Sequence, residues 1–99
     1  MRKDIAGRWF EWDDDKYIVN RHKHGISFEN AARIFFDEAR IEYPDDLHSD
    51  YEERYIAIGK VKNVLFVVYT ERGDATRIIS ARKANKSERE MYYGKNFHL

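Results

Sequence analysis

The chain has 99 residues, of which 42% are hydrophobic, 15% aromatic and 36% charged, and its 18 basic and 18 acidic side chains give a formal net charge of zero. This length fits one domain over residues 1–99. We expect the protein in the cytoplasm, because no apolar run approaches the roughly 20 residues that cross a bilayer and the amino terminus lacks the apolar core of a signal peptide. The absence of cysteine excludes disulfides, thiolate metal sites and a cysteine nucleophile.

Charge is distributed unevenly along the chain. Residues 37–53 hold eight acids and one base, a net charge of −7, whereas residues 54–99 hold ten bases and four acids, a net charge of +6. A local basic surface matters more for binding a polyanion than the total charge does. The sequence therefore predicts either a basic binding surface or a surface that is neutralised internally.

Two helices are predicted in the first third of the chain. Asp13 is a suitable N-cap for a helix over residues 14–24, and Gly25 is a suitable left-handed residue after its end. A second helix is predicted to begin at Ser27, because the following apolar residues have the i, i+3, i+4, i+7 spacing of one buried stripe. The residues of this stripe are Phe28, Ala31, Ala32 and Phe35.

The remaining chain has the two-residue period of β-strands, followed by one more helix. "VLFVVYTER" is almost continuously apolar, which predicts a central strand, and a capping box of Ser87 with Glu90 predicts that the last helix starts at Ser87. Turns are predicted at "KVKN" and "RGDA". The predicted strands cover residues 39–45, 53–59, 64–72 and 76–84.

These elements predict an α+β fold. Two N-terminal helices are followed by an antiparallel sheet of about four strands and a short C-terminal helix. We expect the helices to pack on one face of the sheet and to leave the other face partly open. Residues 1–8 are expected to form an N-terminal extension, and residues 94–99 a tail.

Arginines near the ends of the last two strands are the first candidates for a phosphate site. The two-residue period places Arg77 and Lys83 on one face of the last strand and Arg82 on the other. Arg72 and Arg82, on neighbouring strands, are predicted to lie about four residues, or about 13 Å, apart. Arginine offers a bidentate fork to phosphate. The alternative is that these arginines pair with surface acids, namely Glu53, Glu71 and Asp74.

The other common site chemistries have weak support. His22 and His24 lie two apart on a helix and face different directions, and "DDLHSD" around His48 lacks the spacing of a calcium loop or a zinc motif. The G-x-S-x-G elbow of serine hydrolases is absent, as are the glycine patterns of phosphate and dinucleotide loops. We therefore expect neither a metal nor a cofactor.

Longer motifs give a more specific indication. The chain contains "EWD" with Lys16 and Asn20, "KHGISF", "HS" at 48 and 49, "ERY", "YTERGD" and "RIISARKA". Over about residues 10 to 90 it resembles the BrnT family of toxins from bacterial type II toxin-antitoxin systems.

That resemblance implies a RelE-like fold and a small ribonuclease that cuts RNA and arrests translation. It also implies a BrnA-type antitoxin, similar to ribbon-helix-helix proteins, that neutralises the toxin in a higher-order complex and contacts operator DNA on its behalf. The implied chemistry is metal-independent: the ribose 2′-OH attacks the adjacent phosphate and leaves a cyclic phosphate.

The implied reaction needs a base, an acid and cations for the phosphate. Arg72 and Arg82 are our first choices for the cations, and His48 and Glu53 for the acid and base, with His48 the better match to neutral pH. The predicted RNA contacts are Lys23, His24, Arg77 and Lys83. Capping of the first helix explains Lys23 and His24 equally well, and Lys83 is on the face opposite Arg82 unless the strand bulges.

Two other functions fit the sequence. One is a non-catalytic module on the same fold that binds RNA or protein, and the other is a metal-dependent hydrolase built on "DDLHSD". Trp9 and Trp12 are expected in the core or at a partner surface, and Tyr69 on the face opposite Arg72, as a core or stacking residue.

Overall fold

The computed structural model describes residues 1–49 and 51–96, and within them it contains a six-stranded sheet and three α-helices. The strands are β1 (Arg2–Ile5), β2 (Arg8–Glu11), β3 (Ile41–Pro44), β4 (Tyr55–Val61), β5 (Asn63–Arg72) and β6 (Ala75–Lys83). The helices are α1 (Asp14–His24), α2 (Phe28–Ala32), which a 3₁₀ turn (Arg33–Phe36) continues, and α3 (Lys86–Asn96). None of these helices is long and apolar enough to cross a membrane.

The sheet has the strand order β1-β2-β6-β5-β4-β3. Neighbouring strands are antiparallel, except that β2 runs parallel to β6. The α+β class is as predicted, but the prediction of about four antiparallel strands was wrong, because the sheet is mixed and has six strands.

The two additional strands form a hairpin at the amino terminus, which includes the predicted N-terminal extension. Ala6 and Gly7 both have positive φ, 51° and 88°, in the tight turn between β1 and β2. The Gly7 N–H donates to the Asp4 carboxylate over 2.8 Å. Positive φ is uncommon for alanine, and β1 is largely exposed, so neither the turn nor β1 gave a local signal of this hairpin.

The first two helices begin and end as the sequence predicted. The Asp13 side chain accepts hydrogen bonds from the N–H groups of Asp15 and Lys16, and Gly25 is left-handed with φ 72°. The Ser27 hydroxyl caps α2 by accepting from the Asn30 N–H over 3.1 Å. All four residues of the predicted stripe are buried.

The last helix starts one residue earlier than predicted and has a different cap. The Asn85 side chain accepts from the Glu88 N–H, and the Glu88 carboxylate accepts from the Asn85 N–H, each over 2.8 Å. This reciprocal capping box replaces the predicted pair of Ser87 and Glu90. Residues 94–96 of the predicted tail belong to α3, whereas residues 97–99 lie outside the described part of the chain.

The helices cover both faces of the sheet, so the prediction that they pack on one face was wrong. On the face that we call the helical face, α1, α2 and the 3₁₀ turn enclose the larger core, in which Phe10, Phe28 and Ile34 are fully buried. On the other face, Tyr92 of α3 packs with Ile58 and its neighbours on β3 and β4. The part of this second face that β1, β2 and the adjoining ends of β5 and β6 form is not covered by any of the described helices, and we call it the open face.

A bulge in β6 changes which side chains share a face. Val68 pairs with Ser80 but Tyr69 pairs with Ile78, which leaves Ile79 as an extra residue. One extra residue shifts the alternation along a strand.

Because of this shift, Arg77 and Arg82 project from the same side of the sheet as α3, whereas Ala81 and Lys83 project toward the helical face. The predicted separation of Arg82 from Lys83 is confirmed. The prediction that Arg77 shares the face of Lys83 was wrong, since simple alternation could not include the bulge.

Candidate nucleic-acid interface

The open face carries two rows of polar and aromatic side chains. In the first row, Arg2 is directly opposite Glu11, and Glu11 is directly opposite Arg77. In the second row, Trp9 of β2 is opposite Ala75, which is opposite Arg72. Arg77 is also opposite Thr70, two positions from Arg72, so Arg72 and Arg77 are diagonal neighbours about 7–8 Å apart at their Cα atoms.

Each arginine of the open face has an acidic neighbour. Arg2 donates to the Asp74 carboxylate over 2.6 Å, and its guanidinium carbon lies 4.9 Å from the centre of the Trp9 ring. Arg77 Nη1 lies 3.6 Å from Glu11 Oε2. Arg72 Nη2 donates to the Glu52 carboxylate over 3.4 Å. The sequence left open the alternative that these arginines pair with surface acids, and they do. However, none of the three predicted acids is the partner of Arg72, Arg77 or Arg82.

Arg82 forms the strongest of these pairs and lies elsewhere on the sheet. Its two terminal nitrogens donate to the two oxygens of Glu88 over 2.7 and 2.8 Å, and its guanidinium carbon lies 4.0 Å from the centre of the Phe66 ring. Burial raises the pKa of Glu88, but hydrogen bonds from Arg82 and from the Asn85 N–H outweigh that effect and lower it. The fork of Arg82 is therefore occupied in anchoring the first turn of α3.

The predicted spacing between Arg72 and Arg82 was wrong. Arg82 is opposite Phe66, which is six positions from Arg72 along β5, or about 20 Å at about 3.3 Å per residue. The prediction of about 13 Å counted only about four residues between these positions. These two guanidiniums do not form one phosphate site, whereas Arg72 and Arg77 are close enough to do so.

His48 lies in the loop between β3 and β4 and lines a pocket with Tyr51, Glu52 and Arg54. Its Nδ1 is 3.1 Å from the buried Asp45 carboxylate. Burial and the charges of Glu88 and Asp45 raise the pKa of Tyr43, and the charge of Arg82 offsets part of this rise. In residues 1–49 and 51–96 no three His, Asp or Glu side chains are grouped to hold a metal ion; Asp50 of "DDLHSD" lies outside these ranges.

Glu53 lies on the helical side of the sheet. Its carboxylate accepts a hydrogen bond from the Tyr55 hydroxyl over 2.7 Å, and the Tyr55 ring stacks against buried Tyr69 at 5.6 Å. Tyr69 faces away from Arg72, as predicted. Of the four residues predicted as catalytic, Arg82 is thus held beside α3 by Glu88, and the Glu53 carboxylate lies on the helical side. His48 lines a pocket with Glu52, whose carboxylate contacts Arg72 of the open face.

A groove follows the edge of β6 where β2 ends. The strand β2 pairs only with residues 75–77 of β6, and α1 covers part of the remaining edge. The Asn20 amide donates to the Ala81 carbonyl over 2.9 Å and accepts from the Ala81 N–H over 3.1 Å, as a neighbouring strand would. The groove is lined by Asp15, Lys16, Val19, Asn20, Lys23, His24, Ile79 and Ser80.

This edge groove adjoins the open face at one end. Hydrogen bonds from the backbone of Lys16 and Asp15 and the charges of Lys16 and Arg77 lower the pKa of Asp13, which places Arg77 near the Lys16 end. Lys23 and His24, both predicted to contact RNA, line the groove. Lys83 is exposed at the end of β6 and faces the helical side.

The sequence interpretation missed several residues of this surface. Arg2, Trp9 and Glu11 belong to the unpredicted hairpin. The alternation in "RWFE", with Phe10 buried between exposed Trp9 and half-buried Glu11, was the available signal. Asn20 was noted only as part of a motif, and nothing in the sequence shows that it bonds to Ala81.

A small α+β domain with arginines on an uncovered sheet face and a cation-lined groove beside it has the features of a nucleic-acid-binding protein. A family model described as ribonuclease toxin, BrnT, of type II toxin-antitoxin system matches residues 12–88, and the chain belongs to this family.

A solved structure agrees with this assignment. The 1.1 Å crystal structure of the Brucella abortus ribonuclease toxin BrnT matches with a TM-score of 0.63 and 27% sequence identity, over 78% of this chain and 96% of that chain. A comparison with curated proteins gives no match. Glu11 and the rest of the amino-terminal hairpin precede the residues that match the family model.

Proposed function

We propose that this chain is the toxin of a type II toxin-antitoxin system and acts in the cytoplasm as a metal-independent endoribonuclease that arrests translation. The observation that carries the proposal is the position of Arg72 and Arg77, diagonal neighbours on the open face beside the edge groove. Family membership gives the ribonuclease class, and this geometry supplies cations for the phosphate.

In this proposal the edge groove holds the RNA backbone. Lys16 and Lys23 offer cations along the groove, and His24 offers a ring N–H; contacts of this kind with phosphates position a nucleic acid without reading its sequence. The strand then reaches Arg72 and Arg77 at the open face. A phosphate there replaces the weak contacts of these arginines, 3.4 Å to Glu52 and 3.6 Å to Glu11.

Arg82 has a different role in this scheme. A phosphate would have to displace both hydrogen bonds that Arg82 donates to the Glu88 carboxylate, which anchor the first turn of α3. We therefore assign Arg72 and Arg77 to the phosphate, and Arg82 to the anchoring of α3. His48 lines a pocket with Glu52, the partner of Arg72, and stays a candidate acid or base, as does Glu53, whose carboxylate accepts from the Tyr55 hydroxyl.

The test uses the purified chain without its antitoxin and a single-stranded RNA in the presence of EDTA. We expect cleavage that ends in a cyclic phosphate, and we expect Arg72→Ala and Arg77→Ala each to lose it while remaining folded. Arg33→Ala, an exposed arginine after α2, is the matched control and should retain activity. Cleavage at the wild-type rate by the double variant of Arg72 and Arg77 would contradict the site, and RNA binding without cleavage by the wild type would favour a non-catalytic module.

RNA affinity gives a second measurement. Each lost phosphate contact should reduce the slope of log K against log salt by about 0.7 for a single strand. We expect this reduction in Arg77→Ala and Lys23→Ala but not in Arg33→Ala. Equal slopes in all three variants would place the RNA elsewhere.

The partner in this proposal is a BrnA-type ribbon-helix-helix antitoxin that suppresses cleavage and contacts operator DNA in a higher-order complex. Co-expression with the product of the adjacent gene should abolish toxicity. In a gel-shift experiment the complex should bind the operator, and the toxin alone should not. Operator binding by the isolated toxin would contradict this division of roles.

A further inference from the structure

We propose that Glu11 is the general base of an RNA-cleaving centre on the open face, in which Arg77 and Arg72 hold the scissile phosphate. This inference rests on the proposed ribonuclease function. It adds a catalytic carboxylate from the amino-terminal hairpin, just before the residues that match the family model.

The register of the sheet places Glu11 beside the phosphate ligands. Glu11 is directly opposite Arg77 and directly opposite Arg2 on its other side, and its Oε2 lies 3.6 Å from Arg77 Nη1. Its side chain is only 18% exposed and that of Arg77 is 24% exposed. Both groups are thus held on paired strands and partly shielded from water, which suits a preorganised site.

Glu11 is also the acid of this surface that is least occupied by other contacts. Within the described part of the chain no group donates a hydrogen bond to its carboxylate, and its contact with Arg77 is longer than a hydrogen bond. By contrast, Asp74 accepts from Arg2 over 2.6 Å at the hairpin tip, and Glu52 lies in an exposed loop where it accepts from Arg72. A substrate hydroxyl therefore has no hydrogen bond from the described residues to displace at the Glu11 carboxylate, only the longer contact with Arg77.

The chemistry follows from this arrangement. A phosphate between Arg77 and Arg72 places the 2′-OH of the preceding ribose near Glu11. The carboxylate removes the 2′-OH proton as the 2′-oxygen bonds to phosphorus, and the bond from phosphorus to the 5′-oxygen breaks. Water protonates the departing 5′-oxygen, so the products are a 2′,3′-cyclic phosphate and a 5′-hydroxyl. The two guanidiniums stabilise the extra negative charge on the phosphate in the transition state.

The substrate class is therefore a flexible single-stranded RNA. The 2′-OH must align with the phosphorus and the leaving oxygen, which a continuous A-form duplex does not allow without distortion. Trp9, 41% exposed in the neighbouring row, provides an aromatic surface beside the cleavage point on which an unpaired base can stack.

The experiment compares Glu11→Gln with Glu52→Gln, because both remove one negative charge beside an arginine of the same face. The substrate is an oligonucleotide with one ribonucleotide among deoxynucleotides, and single-turnover rates are measured in EDTA from pH 4.5 to 8. Thermal unfolding and RNA affinity are measured for both variants. Glu11→Asp is included as the conservative variant.

We expect Glu11→Gln to lose about 10²- to 10⁴-fold in cleavage rate, the usual contribution of a general base, with RNA affinity unchanged or tighter. The acidic limb of the pH profile should disappear in this variant and remain in Glu52→Gln and, at a reduced rate, in Glu11→Asp. A Glu11→Gln rate within threefold of the Glu52→Gln rate would overturn the proposal. A rate loss with the acidic limb retained, or with an equal loss of RNA affinity, would also overturn it, since Glu11 would then only position Arg77. A wild type that binds this RNA but does not cut it would refute the ribonuclease function itself.

Discussion

Substitution of Asn20 by alanine tests whether this side chain completes the edge of the sheet. Asn20 is 7% exposed and both accepts from and donates to the backbone of Ala81, over 3.1 and 2.9 Å. Alanine leaves the Ala81 N–H and carbonyl without these partners. An unsatisfied buried polar group costs about 1–3 kcal/mol, so the two groups together predict a loss of about 2–6 kcal/mol, a large fraction of the stability of a small domain.

The measurement is urea unfolding followed by circular dichroism. With a slope of about 1–3 kcal/mol/M for a small protein, a loss of about 3 kcal/mol lowers the midpoint by at least about 1 M. Val19→Ala, at the exposed neighbouring position, is the matched control and should change stability by less than about 0.5 kcal/mol. Exchange of the Ala81 amide proton should accelerate in Asn20→Ala only. A loss below about 1 kcal/mol, with Ala81 still protected, would refute the assigned role of Asn20.

Two further predictions concern stability. A Cβ on Gly59 would lie 2.8 Å from the Cβ of buried Ile34, so Gly59→Ala should lower the free energy of unfolding by about 1–3 kcal/mol through overpacking. A Cβ on Gly94 in α3 would meet no atom within 4 Å, so Gly94→Ala should raise the free energy of unfolding by about 0.5–1 kcal/mol. Equal melting temperatures for the two variants would contradict this. Burial raises the pKa of Asp37, but hydrogen bonds from the Tyr92 hydroxyl and two backbone N–H groups outweigh it and lower the pKa. The stability that the Asp37 carboxylate contributes is therefore fully present above its unfolded-state pKa of about 3.9 and is lost as pH falls through its folded-state pKa. The free energy of unfolding of Asp37→Asn should thus fall less steeply in acid than that of the wild type. An unchanged dependence on acid pH would contradict the assignment.

The sequence was most informative where a local rule determines the structure. Asp13, Ser27 and Gly25 are helix caps whose chemistry depends only on neighbouring residues, and all three were predicted correctly. The buried stripe of α2 follows equally well from helical periodicity. The central position of β5 was also predictable, because only a strand covered on both faces tolerates so continuous an apolar run.

The parts that were not predictable depend on distant residues. Pairing of β2 with β6 is parallel and spans most of the chain, and no local pattern indicates it. The bulge at Ile79 moves Arg77 to the face of Arg82, which strict alternation cannot anticipate. The occupation of Arg82 by Glu88 arises from the position of α3. The predicted face of Arg77 was wrong for this reason, whereas the predicted separation of Arg82 from Lys83, which lie on the same side of the bulge, was correct.

The pairing of the amino-terminal hairpin with β6 has a consequence for the order in which the molecule folds. Arg8 bonds to Thr76, 68 residues later in the chain, so β2 has no partner strand on that side until β6 has been synthesised. Closing so long a loop is slow compared with forming the local β5-β6 hairpin. The open face, with Glu11 on one side of this junction and Arg77 on the other, is therefore among the last parts to assemble. A nascent chain of this protein therefore presents a complete open face only after almost all of the chain has been translated.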